Sequence, residues 1–331
     1  MMRRIVLLAG LLLALALLLI GVMLAWPLGT PGDEIPMDTS AIKLVPEGRA
    51  HTTFEARDGS VLPLRIYESG ETDRALILIH GISGHGDYLY PLASALAEGG
   101  HASVYVPDLR GHGESPARRG DIDHMGQMEE DFADLMAHIR DRQPDARIIA
   151  GGHSAGGGLA LRMAASNSAD EIDGYLLLAP FLGPRSPTSR QDVDNNGAMA
   201  VSVPRFLALM LLNRAGVTAF NHLPVVRLSI PEGHRDGRET ATYTWRAFVG
   251  YVPRDHVQVL GAVNAPLLLV SGTDDEVMRA ERYLPLLAEL TPQAEVMLLP
   301  GIRHMDVISD PQTAALAGYW LDRQSLVEGN Q

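Results

Sequence analysis

The sequence predicts an α/β fold, a mostly parallel sheet covered by helices on both faces, on two observations. Short apolar runs recur along the chain: ALILIHG (75–81), ASVYVPD (102–108), ARIIAGG (146–152), GYLLLAP (174–180), PLLLVSG (266–272) and AEVMLLPG (294–301). They are continuous rather than alternating, as strands buried on both faces are. Helical patterns separate them, near 87–98, 122–142, 155–167, 279–291 and 310–326. Strands alternating with helices build a parallel sheet. The 331 residues, 46% of them hydrophobic, can bury one such core.

The chain opens on a different pattern. Residues 5–26 carry no charge. As a helix they would run roughly 33 Å, enough to cross a bilayer core. The run has no polar face, which argues against a core helix. It ends Ala25-Trp26-Pro27, a poor small-x-small cleavage site, so residues 1–26 read as an uncleaved signal anchor. A secreted protein freed by signal cleavage is the alternative. Arg3 and Arg4 precede the span, while Asp33, Glu34 and Asp38 follow it. That asymmetry leaves the N-terminus cytoplasmic and the remaining chain periplasmic or extracellular. Residues 27–50, rich in Pro, Gly and acids, read as a linker, and residues 51–331 as one domain.

Within that domain HTTFEA and VLPLRIYE flank Asp58-Gly59, a hairpin signal. From about Leu182 to Val263 no clear strand is visible. Polar turns (SPTSRQDVDNNG) and an apolar helix candidate, RFLALMLLNRAG (205–216), occupy the stretch. It reads as a largely helical cap, about 183–262, inserted over the carboxyl end of the sheet. Its Leu/Met stripe at 206–212 reads as core first and ligand wall second. A net charge of −13 argues against a nucleic-acid partner. The absence of cysteine excludes disulfides and thiolate metal sites.

GGHSAGGG (151–158) sets one hydroxyl among five glycines, at the point where an apolar strand gives way to a helix. Gly152-His153-Ser154-Ala155-Gly156 is a G-x-S-x-G. A serine on such a turn is strained and exposed, and Gly152 and Gly156 keep side chains out of it. The helix N-terminus behind it aims amides at developing negative charge. A phosphate loop would need a different glycine spacing and a lysine. A serine needs a base, and the base needs an orienting acid. After this turn the chain order is serine, acid, histidine. PLLLVSGTDDE offers Asp274, Asp275 and Glu276 past a strand end, and AEVMLLPGIRHMD offers His304, the only histidine after His256.

The segment HGISGHGDYLYPLASALAEGGHASVYVPDLRGHGES resembles the monoacylglycerol lipase and lysophospholipase branch of the α/β-hydrolases, the serine aminopeptidase S33 type. That branch carries HG-x-G-(E)-H-x-x-x-Y followed by D-x-x-G-H-G-x-S. The resemblance runs over about 50–325 and is weakest in the cap. It implies the α/β-hydrolase fold with an eight-stranded sheet, and no cofactor. It puts the catalytic acid at the D of G-x-x-D, here Asp275 after Gly272, with Asp274 as fallback. It puts the oxyanion hole at the amides of Ile82 and Ala155. Gly84-His85 departs from the branch's frequent Gly-Glu-His, which loosens the link to any one subfamily.

His80, His85, His112 and His153 cluster in sequence near these loops, but their spacings match no metal-ligand pattern. His112 and His153 read as packing residues bonded to loop backbone. Asp108 and Arg110 read as fixing the loop after the fourth strand, and Ser83 and Ser115 as exposed-loop serines. Three functions follow. The first is a membrane-tethered serine hydrolase of acyl lipid esters, such as monoacylglycerol or lysophospholipid. The second is a proline-type aminopeptidase using cap acids (Asp192, Asp194, Glu232, Asp236) to hold a free amino terminus. The third is a non-catalytic binding protein on the same fold.

Overall fold

The hairpin at Asp58-Gly59 starts the sheet. β1 (Thr52–Glu55) and β2 (Val61–Tyr67) pair antiparallel, with Gly59 at φ 79° in the turn. The computed structural model describes residues 2–32, 51–70, 72–114, 116–190 and 197–324. Residues 33–50 of the linker, with Asp33, Glu34 and Asp38, lie outside it, as do Ser115, Asp192 and Asp194.

The remaining strands of the large sheet are β3 (Arg74–Ile79), β4 (Ser103–Pro107), β5 (Arg147–His153), β6 (Gly174–Leu178), β10 (Leu267–Gly272) and β11 (Glu295–Leu299). Their order is β1-β2-β4-β3-β5-β6-β10-β11, and every pairing from β4 to β11 is parallel. The six apolar runs are these strands. Both faces are buried, as continuous runs require. Ala75, Ile77 and Ile79 of β3 face one core, while Leu76 and Leu78 face the other. β11 departs from the pattern: Glu295 and Met297 are exposed, because this strand closes the sheet edge.

Helices α2 (Tyr90–Glu98) and α9 (Pro311–Gln324) cover one face through Leu92, Leu96, Trp320 and Leu321. α3 (Gln127–Arg142), α4 (Ala155–Arg162) and α8 (Tyr283–Leu290) cover the other. α3 buries Met128, Phe132, Leu135, Met136 and Ile139, a 3–4 spacing, and sets acids in its first turn and arginines in its last. It begins five residues later than its pattern suggested, at Gln127, behind Gly126 with φ 104°.

The cap lies between β6 and β10. It holds α5 (Val203–Arg214), α6 (Trp245–Tyr251) and α7 (His256–Gly261), and also a three-stranded antiparallel sheet of β7 (Met199–Val201), β8 (Pro224–Leu228) and β9 (Thr242–Thr244). The expectation of a strandless stretch is corrected here: strands of three to five residues carry too few alternations to read as strands. The Leu/Met stripe of α5 splits. Ala208 and Leu209 are buried and Phe206 rests edge-on against Trp245 at 4.4 Å, while Leu207 and Leu211 face out. α1 (Met2–Ala25) precedes everything, has no buried residue, and is long and apolar enough to cross a membrane.

Candidate active site

Ser154 stands between β5 and α4 with φ 55° and ψ −123°, one of three non-glycine residues at positive φ among the described residues. A strained backbone of this kind persists only where its surroundings over-determine it. They do so here. Ser154 N donates to Leu178 O (2.9 Å), and Ser154 O accepts from Phe181 N (2.8 Å) and Gly158 N (3.2 Å). A methyl at Gly156 would overlap the carbonyls of Ile79 and His80, and one at Gly152 would meet the Gly156 carbonyl. The two glycines let β3, β5 and α4 close on the turn. Gly157 and Gly158 instead back onto Pro180, and onto Phe181 and Pro253.

His304 Nδ1 donates to Asp275 Oδ2 at 2.9 Å, and both side chains are buried. Asp275 Oδ1 accepts from Val277 N (2.9 Å) and Met278 N (2.6 Å), and Ser271 Oγ lies 3.5 Å from Oδ2. Asp274 is exposed and bonded to Thr273, so of the two acids it is Asp275 that meets the ring. Burial alone would raise the Asp275 carboxyl. The facing His304 and the two amides outweigh it and hold the group below its ordinary value. Burial alone would lower His304, but Asp275 holds the ring above its ordinary 6.5. Such a ring readily accepts a serine proton. Among the described residues Ser154 Oγ has no hydrogen-bond partner, a looseness common in unliganded sites.

Ala155 opens α4, so its amide has no partner in a preceding turn. The Ile82 amide is also unbonded among the described residues. The loop that carries Ile82 is held on both sides. Gly81 N donates to Tyr88 Oη, and Ser83 N donates to Tyr243 Oη at 2.8 Å. Ser83 is therefore not an exposed-loop serine: it is 7% exposed with φ 63°, its amide and carbonyl tied to β9 and Thr240.

Sequence reasoning missed most of the residues that brace these groups, Tyr88, Tyr243 and the role of Glu276, although His153 bonds loop backbone as expected. Tyr88 Oη also lies 3.2 Å from His153 Nδ1, and His153 Nε2 donates to His304 O at 3.0 Å. One chain of hydrogen bonds thus runs from the loop that carries Ile82, through the residue beside Ser154, to the backbone of His304. Glu276 accepts from His304 N at 3.0 Å. The signal for Tyr88 was its place within GHGDYLY, but the partner is set by folding.

The other histidines are structural. His80 donates from Nδ1 to Gly81 O (2.9 Å) and accepts from Leu109 N (3.1 Å). His112 donates to Arg110 O (3.1 Å) and accepts from Tyr243 Oη (2.8 Å). Asp108 takes Arg65 Nη1 and Gly86 N, both at 2.8 Å, fixing its loop as expected. Of the described cap acids, Asp236 is paired with His85 (2.9 Å) and Arg238 (2.7 Å), and Glu232 is exposed.

Residues 70–312 match the family described as serine aminopeptidase, S33. The chain belongs to that family. It is 24% identical over 251 residues to a monoacylglycerol lipase of Mycolicibacterium smegmatis, covering 72% of this chain and 82% of that one. It is 32% identical over 136 residues to lipase LipV of Mycobacterium tuberculosis, 40% of this chain and 48% of that protein. A soluble variant of the Saccharomyces cerevisiae monoglyceride lipase superposes with a TM-score of 0.64 at 17% identity, over 88% of this chain and 98% of that one. This S33 member is an α/β-hydrolase of the monoacylglycerol lipase-like branch and a serine ester hydrolase.

Proposed function

We propose that this S33-family protein is a membrane-anchored hydrolase of acyl lipid esters, such as monoacylglycerol or lysophospholipid. It acts through Ser154, His304 and Asp275. The observation that carries the reading is the buried His304–Asp275 pair at 2.9 Å, with the His304 ring 4.7 Å from that of His153, the residue that precedes a serine held at φ 55°. Ser154 Oγ attacks the ester carbonyl as His304 takes its proton. Asp275 orients the ring and stabilises its cation. The oxyanion is held by the Ile82 and Ala155 amides, each such donor contributing roughly 2.7–4 kcal/mol. His304 then protonates the leaving alcohol, and water repeats the sequence to free the acid. Two lipases among the relatives support the ester substrate.

α1 supports the anchor, with the catalytic domain on the periplasmic or extracellular side. Cell fractionation tests it: the full chain stays in the membrane, and deletion of residues 1–30 releases it. Untruncated protein in the soluble pool would mean a cleaved signal.

An acyl-ester panel on the full chain in detergent tests the substrate. Medium and long chains are expected to turn over faster than acetyl. Strict preference for acetyl esters would overturn the lipid assignment. The family description also favours a second reading, aminopeptidase activity. That needs an acid free to meet an amino terminus, whereas Asp236 is engaged by the Arg238 guanidinium and by the His85 ring. Hydrolysis of an aminoacyl arylamide faster than of any ester would establish it.

A further inference from the structure

Beyond α1 and Trp26, the exposed large apolar side chains of the described residues are mostly scattered singly, with one concentration. Val203, Leu207 and Leu211 succeed one another at four-residue spacing along one face of α5, and Val201, Val217 and Phe220 extend the patch from its two ends. A contiguous apolar patch on a soluble surface marks a contact. The cap core cannot supply it, because α5 already turns Ala208 and Leu209 to that core.

What covers the row follows from its opposite face. There Arg205, 9% exposed, donates from Nε to Leu24 O (2.8 Å), from Nη2 to Trp26 O (2.5 Å) and from Nη1 to Pro224 O (2.6 Å). Leu24 and Trp26 are the end of α1, where helix carbonyls have no partner of their own. An arginine from the cap, 181 residues away, therefore caps the apolar helix. Ser202 Oγ reaches the same Trp26 carbonyl at 3.4 Å. Ile20, Met23, Leu24 and Leu28 are half-buried at helical spacing where α1 packs on α5, and Gly32 N bonds Gly197 O at 2.7 Å. The end of α1 is part of the cap and not a loose tether.

That contact sets a depth. An apolar run of roughly 33 Å fills a hydrocarbon core of about 30 Å, so residues 20–26, roughly 10 Å of helix, occupy its outer third and end at the leaflet surface. A helix packed on them lies at the lipid–water boundary, where an apolar row is stable. We infer that the cap is seated in the bilayer surface: Val203, Leu207 and Leu211, with Val217 and Phe220, are covered by lipid of the leaflet α1 leaves, and Arg205 is the positioning residue that holds them there. The inference rests on the reading of α1 as an uncleaved anchor.

The chain has no cysteine, so one fluorophore can be placed at will. The full chain carrying Leu207→Cys or Leu284→Cys is labelled with bimane and reconstituted in phosphatidylcholine vesicles containing a headgroup-proximal nitroxide lipid. Leu284, exposed on α8, is the reference outside the cap. Vesicle flotation reports the anchor separately. Quenching at 207 is expected to exceed that at 284 at least about threefold, and Arg205→Ala to halve it while the protein still floats. Arg205→Lys should restore part of it, and retained hydrolysis of a soluble short ester shows that the variant is folded. Equal quenching at 207 and 284 in floating protein overturns the seated cap and leaves the anchor standing. A label shielded from aqueous iodide but not quenched by the lipid overturns it too, because a second copy then covers the row. Protein that does not float overturns the anchor reading and the inference with it. If Arg205→Ala does not fold, the comparison of 207 with 284 decides alone.

Discussion

The loops that hold Ser154, Asp275 and His304 leave the carboxyl ends of β5, β10 and β11 in the large sheet, whereas the cap lies between strands and is joined to the body by a few backbone bonds, Thr240 N to Ser83 O and Thr244 N to Gly120 O among them, and by long-range side-chain pairs. In the first region backbone does the positioning. The Ser154 peptide is tied to Leu178 and Phe181, and the Asp275 carboxylate to two amides. In the second region, strands of three to five residues are joined to the body by long-range pairs. Tyr243 Oη meets Ser83 N and His112, and Arg238 meets Asp87. Backbone constraint holds reacting atoms to the tolerance that chemistry needs. Side-chain pairing allows the covering element to vary while the chemistry stays put.

The sharpest way to break this comparison is to remove the proposed nucleophile. Ser154→Ala is expected to lower kcat by about 10⁶-fold, leaving the fold intact. Ester hydrolysis and loss of fluorophosphonate labelling check it, and a variant that stays active would move the chemistry elsewhere. Asp275→Asn comes next, at about 10⁴-fold in kcat. Because Asp275 raises His304, kcat/KM of the native protein should fall as the pH drops through a value above 6.5. In Asp275→Asn that limb moves to lower pH. Asp274→Asn should change neither rate nor limb, and the reverse pattern would exchange the two acids.

The seam between the regions has its own signature. Burial lowers His80 to about 3 and His112 to about 4 from an ordinary 6.5. Below that ordinary value the unfolded chain takes up two protons that the folded protein refuses. Stability is therefore lost as the pH falls, by about 1.4 kcal/mol per pH unit for each ring. Urea unfolding in detergent at about pH 7 and about pH 5 should reveal a loss of roughly 4 kcal/mol from this pair. A flat profile would mean that the rings titrate freely. The smallest effect sharpens the catalytic side. Tyr88→Phe strips a partner from the Gly81 amide and from His153, a loss of about 1–3 kcal/mol where buried donors go unpaired. It should appear as a kcat reduced roughly tenfold with KM little changed, and an unaltered kcat would show that the hydrogen-bond chain does not position His304.

Much of the site was legible because strand ends are legible. Apolar runs locate strands, and a serine between glycines, an acid pair and a late histidine follow three of them. Asp275 could be separated from Asp274 only by resemblance until the ring of His304 was seen against one and not the other. The braces were invisible for a plainer reason. Tyr88, Glu276 and Tyr243 act on partners 65, 28 and 131 residues away, and no local pattern encodes a distant hydrogen bond. Ser83 misled because a polar loop residue at positive φ looks exposed until the cap closes over it.

By itself the sequence determined what depends on neighbours in the chain: the apolar span, the strand–helix alternation, the strained turn at Ser154 and the order of the three polar residues. Tertiary structure alone decided what depends on closure. It set which acid faces His304, folded the short runs of the cap into a sheet, and brought Arg205 to the last carbonyls of α1. Period and turn chemistry are written over a few residues, whereas a buried charge or an orphan carbonyl finds its partner only when distant segments have packed.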